Sequence, residues 1–155
     1  MSNEIDSRLA KLGVTLPTPG APQASYVPTV RTGNLVFVSG QVPTTPEGVK
    51  FVGKLGREYS IEEGQQAARI CAINVLANLK VALGGDLGKV TRIVKLVGFV
   101  NATPDFTDAH KVINGASDFL IEVLGDKGRH ARSAIGMGTL PLGVAVEVEV
   151  VAEVA

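Results

Sequence analysis

A chain of 155 residues, 45% hydrophobic and 19% charged, suits one globular domain with its own core and is too apolar for a disordered segment. Its 15 basic and 15 acidic side chains cancel, and five Phe, two Tyr and no Trp leave little to stack on bases, so nucleic acid is a poor default partner. The single cysteine, Cys71, excludes an intramolecular disulfide and fits a reducing compartment, while the apolar runs break well short of the ~18 residues a membrane helix needs.

No basic segment followed by an apolar stretch opens the chain, so a soluble, cytoplasmic protein with no membrane contact is expected. Ile5, Leu9 and Leu12 at i, i+4 and i+7 predict a short helix over residues 2–12, capped by Ser2 and stopped by Gly13. Pro17, Pro19 and Pro22 then force an extended connection. Residues 1–24 read as a leader ahead of a single domain over 25–155. Residues 25–30 and 34–39 read as strands joined by a turn at 31–34, the second apolar on both faces. Residues 41–60 are a connection punctuated by Pro and Gly, with room for a short strand at 49–52. Residues 61–83 give the clearest helix, with Ala68, Cys71, Ala72, Val75, Leu76 and Leu79 on one stripe, which makes Cys71 a core residue.

Residues 91–100 form a β run that is apolar on both faces apart from Lys95. A second long helix is predicted over 104–124, with Thr103 as its cap and Pro104 at its first position. The stretch 130–149 then reads as two strands around a turn made by Pro141 and Gly143. A hairpin-like return there would bring Arg132 back towards Glu147, a cation and a carboxylate facing each other across a small space. The order β-β-(β)-α-β-α-β-β makes an α+β domain, one mixed or antiparallel sheet with two helices on one face. Several strands are apolar on both faces, and no helix remains to cover the second face, so a closed homo-oligomer is expected.

Ala131-Arg132-Ser133-Ala134, then Leu140-Pro141, then Val146-Glu147-Val148-Glu149 resembles the signature of the RidA family, also called YjgF or L-PSP. Tyr26, the run from Gly33 through Ser39-Gly40-Gln41-Val42-Pro43, Phe99-Val100 and Pro104-Asp105-Phe106 agree with it in order, over roughly residues 25–153. The resemblance implies a homotrimer of chorismate-mutase-like (bacillus type) domains with clefts between subunits. It also implies hydrolysis of 2-imino or enamine acids to 2-oxo acids and ammonia, with no cofactor. Arg132 would then hold the substrate carboxylate, where the bland role is a structural ion pair, and Glu147 would orient water, where the bland role is a solvated strand face. Ser39 and Gly40 would sit beside the ligand rather than merely end a strand, with Tyr26 lining the cleft. Asn114 also matches a family Asn, although a helix-surface residue explains it equally simply. Ala134 takes a ligand-lining position where many relatives have Cys, and Gly136 one where several carry a larger or charged residue. These two departures motivate an alternative, a trimer that binds a small carboxylate or a partner without turnover. An endoribonuclease or translation-inhibitor role is disfavoured by the neutral charge and sparse aromatics. His110 and His130 have no zinc-ligand spacing, and there is no Gly-rich phosphate loop or nucleophile elbow.

Overall fold

The computed structural model describes residues 4–155. Helix α1, Glu4–Lys11, buries Ile5 and Leu9, the i, i+4 pair seen in the sequence, and Gly13 ends it at φ 68°. The Ser2 cap expected there lies outside the described residues. Strand β1, Thr29–Thr32, turns into β2, Leu35–Gln41, through Gly33-Asn34. The first strand therefore starts later than the residues 25–30 expected, because Pro28 brings no N–H to a ladder. Its carbonyl is used instead, accepting from the Ser39 N–H at 2.9 Å. In the connection that follows, β3 (Thr44–Thr45) and β4 (Gly48–Val49) make a minimal hairpin.

Helix α2, Ile61–Ala82, opens with a capping box in which Ser60 Oγ accepts from the Glu63 N–H and the Glu63 side chain reaches back to the Ser60 N–H. Strand β5, Val90–Asn101, leads to helix α3, Ala109–Leu124, and β6, Ala131–Met137, with β7, Val146–Val154, closing the chain. The start of α3 corrects the sequence reading. Thr103 does not cap it: its N–H bonds the Leu55 carbonyl and its Oγ1 is buried with no hydrogen bond, and the helix begins after Asp108. The bridge between Leu55 and Ala102 holds this stretch as an extension of the sheet, out of helical geometry.

The sheet runs β1-β2-β7-β5-β6, with β5 and β6 parallel and the other neighbours antiparallel, so the mixed sheet of an α+β domain is present. The expected return of β6 onto β7 is not. A strand that follows β5 through a helix packs back parallel to β5 in the usual right-handed crossover. The chain must then pass over the end of β5 to reach its other side. Asn101 anchors that passage, its Nδ2 donating to the Val144 carbonyl at 3.1 Å and its N–H to the Ala145 carbonyl at 2.8 Å. β5 therefore stands between Arg132 and Glu147.

Both long helices lie on one face. They approach closely where Gly115 meets α2, since a Cβ there would sit 2.1 Å from the Gln65 carbonyl oxygen. Val36, Val38, Leu96, Val100, Val146, Val148 and Val150 fill the space beneath them. Across-strand partners share a face, so the opposite face carries Val30, Phe37, Val151 and Lys95 in one row and Glu147, Phe99 and Ile135 in another. Val30, Phe37 and Ile135 there are 53%, 45% and 44% exposed, an apolar face that none of the described residues covers. Among the described residues, no helix is long and apolar enough to cross a membrane.

A candidate active site in two halves

Arg132 stands opposite Leu96, so its side chain leaves the sheet on the helix side. α3 meets it with a polar stripe at i, i+4 and i+7. Arg132 Nη1 donates to Asn114 Oδ1 at 2.9 Å and to Ser117 Oγ at 3.2 Å, and Nη2 donates to the His110 carbonyl at 3.0 Å. All three acceptors are neutral. None of the ion pairs among the described residues includes Arg132, so the structural ion pair weighed from the sequence is not its role. A guanidinium has about five N–H donors, and the three in use leave Nε–H and one on Nη2, a pair that can grip a carboxylate side-on. Ala134, two residues along the same face, packs against the core. Asn114 belongs to this clamp and is more than a surface residue. Ser117 was not singled out from the sequence; the signal was a polar stripe of His110, Asn114 and Ser117 at i, i+4 and i+7, beside the helix's apolar stripe.

Glu147 belongs to the other half. It faces Phe99 on the open side of the sheet and makes no hydrogen bond or ion pair with the described residues. Its carboxylate lies on the backbone of Gly40, where a Cβ would come 2.1 Å from Oε1. That contact explains the Ser-Gly pair: any side chain at Gly40 would occupy the space the carboxylate takes. Burial, and then the neighbouring charge of Glu149, raise the Glu147 pKa above the ordinary carboxyl value. Arg132 is not among the influences, since β5 stands between the two. The raised pKa makes the ionised form a stronger base.

Ser39 holds this half in shape, its hydroxyl donating to the Val27 carbonyl at 2.7 Å. Tyr26, 51% exposed, lies beside Gly40 along a groove of about 580 Å³ walled by Pro17, Pro19, Pro22, Asn74 and Asn78. Neither Arg132 nor Glu147 lines that groove. Cys71 is fully buried, and burial together with the Glu147 charge pushes its thiol well above the usual value, so it is an inert core residue. No group of three or more His, Cys, Asp or Glu among the described residues could hold a metal ion.

Two strand spacings and three residues along the strands separate Arg132 from Glu147, about 14 Å between backbones, and the side chains leave on opposite faces. Within one chain, Ser39-Gly40 and Glu147 come together, Tyr26 lies along the groove that Gly40 lines, and Arg132, Asn114 and Ala134 lie on the other face of the sheet.

Comparison with known proteins bears on this arrangement. The family model described as YjgF/chorismate mutase-like, with an endoribonuclease label, matches residues 6–154. Protein TCP17 of Trypanosoma cruzi is 45% identical over 153 residues, 98% of this chain and 95% of its own. The 2-iminobutanoate/2-iminopropanoate deaminase of Escherichia coli (strain K12) is 32% identical over 145 residues, 89% of this chain and 95% of its own. The crystal structure of a protein of unknown function from Agrobacterium tumefaciens has a TM-score of 0.91 at 46% identity, covering 97% of this chain and 94% of that one.

Proposed function

The chain belongs to the YjgF/RidA family, and on that premise we propose that it hydrolyses 2-imino acids, or their enamine tautomers, to 2-oxo acids and ammonia. The E. coli relative that is a 2-iminobutanoate/2-iminopropanoate deaminase supports the reaction class. The observation that carries the reading is Arg132: a half-buried cation held by three neutral acceptors, with no acid partner among the described residues and one edge of its guanidinium left for a ligand. A buried charge without a counter-ion is costly unless an anion completes it. A substrate carboxylate is that anion.

In this mechanism Arg132 fixes the carboxylate, which orients the adjacent C=N carbon. Glu147 accepts a proton from a water as the water oxygen bonds that carbon and the C=N π pair moves to nitrogen. Nitrogen takes that proton back from Glu147 to give the neutral carbinolamine, and the hydroxyl proton then passes by way of Glu147 to nitrogen as C=O forms and the C–N bond breaks, releasing ammonia. Positioning supplies most of the rate, because imines are electrophilic already. No organic cofactor or metal enters these steps.

One chain cannot bring both groups to one substrate across about 14 Å and a sheet. We therefore place the site between copies in a homotrimer, the Arg132 half from one subunit completed by the half of its neighbour that carries Tyr26, Ser39, Gly40 and Glu147. The uncovered apolar sheet face supports such an assembly. The test is an assay in which an amino-acid oxidase generates imino acids and semicarbazide competes for them. Wild type should protect the imine from semicarbazide. Arg132→Ala should fail to, and Glu147→Gln should still bind 2-oxobutyrate while losing about 100-fold in kcat. Full activity in a folded Arg132→Ala protein ends this reading. Binding of 2-oxobutyrate without turnover of any imine replaces it with a carboxylate-binding module.

A further inference from the structure

The clamp on Arg132 continues past α3. His130, two residues before it, has Nδ1 2.6 Å from the Gly128 carbonyl oxygen and Nε2 2.9 Å from Ser117 Oγ. A carbonyl only accepts, so Nδ1 carries the proton, and a neutral imidazole then has Nε2 as a bare acceptor. Ser117 must therefore donate its single hydroxyl proton to His130. Its oxygen is left free to accept, and it accepts from Arg132 Nη1 at 3.2 Å. Each bond fixes the direction of the next, from Arg132 to Ser117 to His130 to the Gly128 carbonyl. Ser117 is 7% exposed, so water has little access to replace a missing partner.

We infer that Ser117 and His130 are positioning residues for Arg132: the relay holds the guanidinium with its free edge presented to an anion, and lets go when the imidazole takes a second proton. An imidazolium has no acceptor at Nε2. Ser117 would then have to accept from His130 and Arg132 together and turn its own proton away, with two cations facing one hydroxyl. Burial first, and the Arg132 charge, against the Gly128 carbonyl, lower the His130 pKa from its ordinary value. The neutral state is therefore the resting one at neutral pH, and the relay breaks only below the usual histidine range.

Among the charged groups near His130, Arg132 on β6 acts on the imidazole directly, and Lys127 in the turn before it is exposed. Lys95 on β5 donates to Ser133 on the far face of the sheet. Asp126 and Arg129, in the single turn before it, pair with each other at 3.4 Å. At the start of α3, Asp108 pairs with Lys111 and lies 4.0 Å from His110 Nε2, and Asp118 and Glu122 on the helix are exposed. Arg8 of α1 is engaged by the Val123 carbonyl and Glu4.

The inference rests on Arg132 as the carboxylate anchor, and the experiment separates the two. The affinity of the whole protein for 2-oxobutyrate is measured by calorimetry from pH 7.5 to pH 5, in a Glu147→Gln background that removes the other carboxyl titrating on the acid side. With His130 present, affinity should fall about tenfold as the pH drops, the size of an interaction worth ~1.4 kcal/mol. His130→Gln, which cannot become a cation, should give a flat profile. Ser117→Ala should bind several-fold more weakly at pH 7.5 and also lose the pH dependence. A His130→Gln profile as steep as its parent overturns the relay while leaving Arg132 as anchor. Undiminished binding by Arg132→Ala overturns the anchor instead. Should the variants unfold, nitrogen NMR of the intact protein decides the matter: Nδ1 protonated and Nε2 bare at pH 7.5 is required, and the opposite tautomer refutes the relay.

Discussion

The two halves of the candidate site are built on opposite plans. Arg132 is fixed by direct bonds to α3, on the covered face of the sheet, at an edge strand. Glu147 sits on the uncovered face with no hydrogen bond from the described residues, its carboxylate lying against the backbone of Gly40. A cation that must hold an anion in one orientation gains from rigid support, because a loose fork loses its geometric advantage. A carboxylate that must move a proton gains from the reverse. Left short of donors and partly desolvated, it keeps its basicity; donors would have lowered its pKa and weakened it as a base.

The comparison breaks most sharply at Arg132. Arg132→Lys keeps the charge but offers a point cation with no planar fork, and it cannot satisfy Asn114, Ser117 and the His110 carbonyl while presenting two parallel donors. A loss of about 100-fold or more in kcat/KM is expected, or roughly 3 kcal/mol of transition-state binding. Near-normal kcat/KM in Arg132→Lys would mean that charge alone suffices and that the clamp is only structural.

The Glu147 half breaks through its neighbour. Gly40→Ala puts a methyl 2.1 Å from Glu147 Oε1. Oε1 is the far end of a flexible, half-exposed side chain, so the carboxylate swings away at little cost to the fold. Turnover should fall about tenfold or more while 2-oxobutyrate still binds, and thermal melts alongside kcat and KM should show a nearly unchanged melting temperature. A variant with unaltered kcat would show that Glu147 tolerates displacement and that Gly40 has no bearing on its aim.

How the halves could be read in advance follows from what each depends on. The helices were legible because their apolar stripes are local, as Ile5 and Leu9 of α1 and the stop at Gly13 show. The Arg132-to-Glu147 placement was not legible. Pro141 and Gly143 do make a turn, but it is a one-turn helix followed by a passage over the end of β5, which Asn101 anchors from 43 residues away. Turn residues report local geometry and carry no record of which strand lies alongside. Likewise Thr103-Pro104 has the composition of a helix start, and a bridge to Leu55 overrides it. Arg132, Glu147, Ser39 and Gly40 could be named from the resemblance. Ser117 and His130 could not, since a serine buried in an apolar helix face has meaning only once β6 lies against it.

The smallest expected effect tests the contrast on stability. Glu147 has a raised pKa in the folded chain, from burial and then from Glu149. A raised carboxyl pKa means that folding favours the protonated form, so the stabilising contribution is present below the unfolded pKa and is lost as pH rises through the folded one. At pH 7 the ionised Glu147 is therefore a slight burden on the fold, softened by solvent because the group is only half buried. Glu147→Gln should melt at the same temperature as wild type or slightly above it at pH 7, and the difference should vanish as pH falls towards 4. Arg132→Ala should show the opposite sign, losing three hydrogen bonds and leaving Asn114 and Ser117 without their partner. If Glu147→Gln instead melts clearly below wild type at pH 7, the carboxylate has a stabilising partner that a single chain does not provide. A drop that deepens with protein concentration would place that partner on a neighbouring copy, turning the bare half of the site into a joint between subunits.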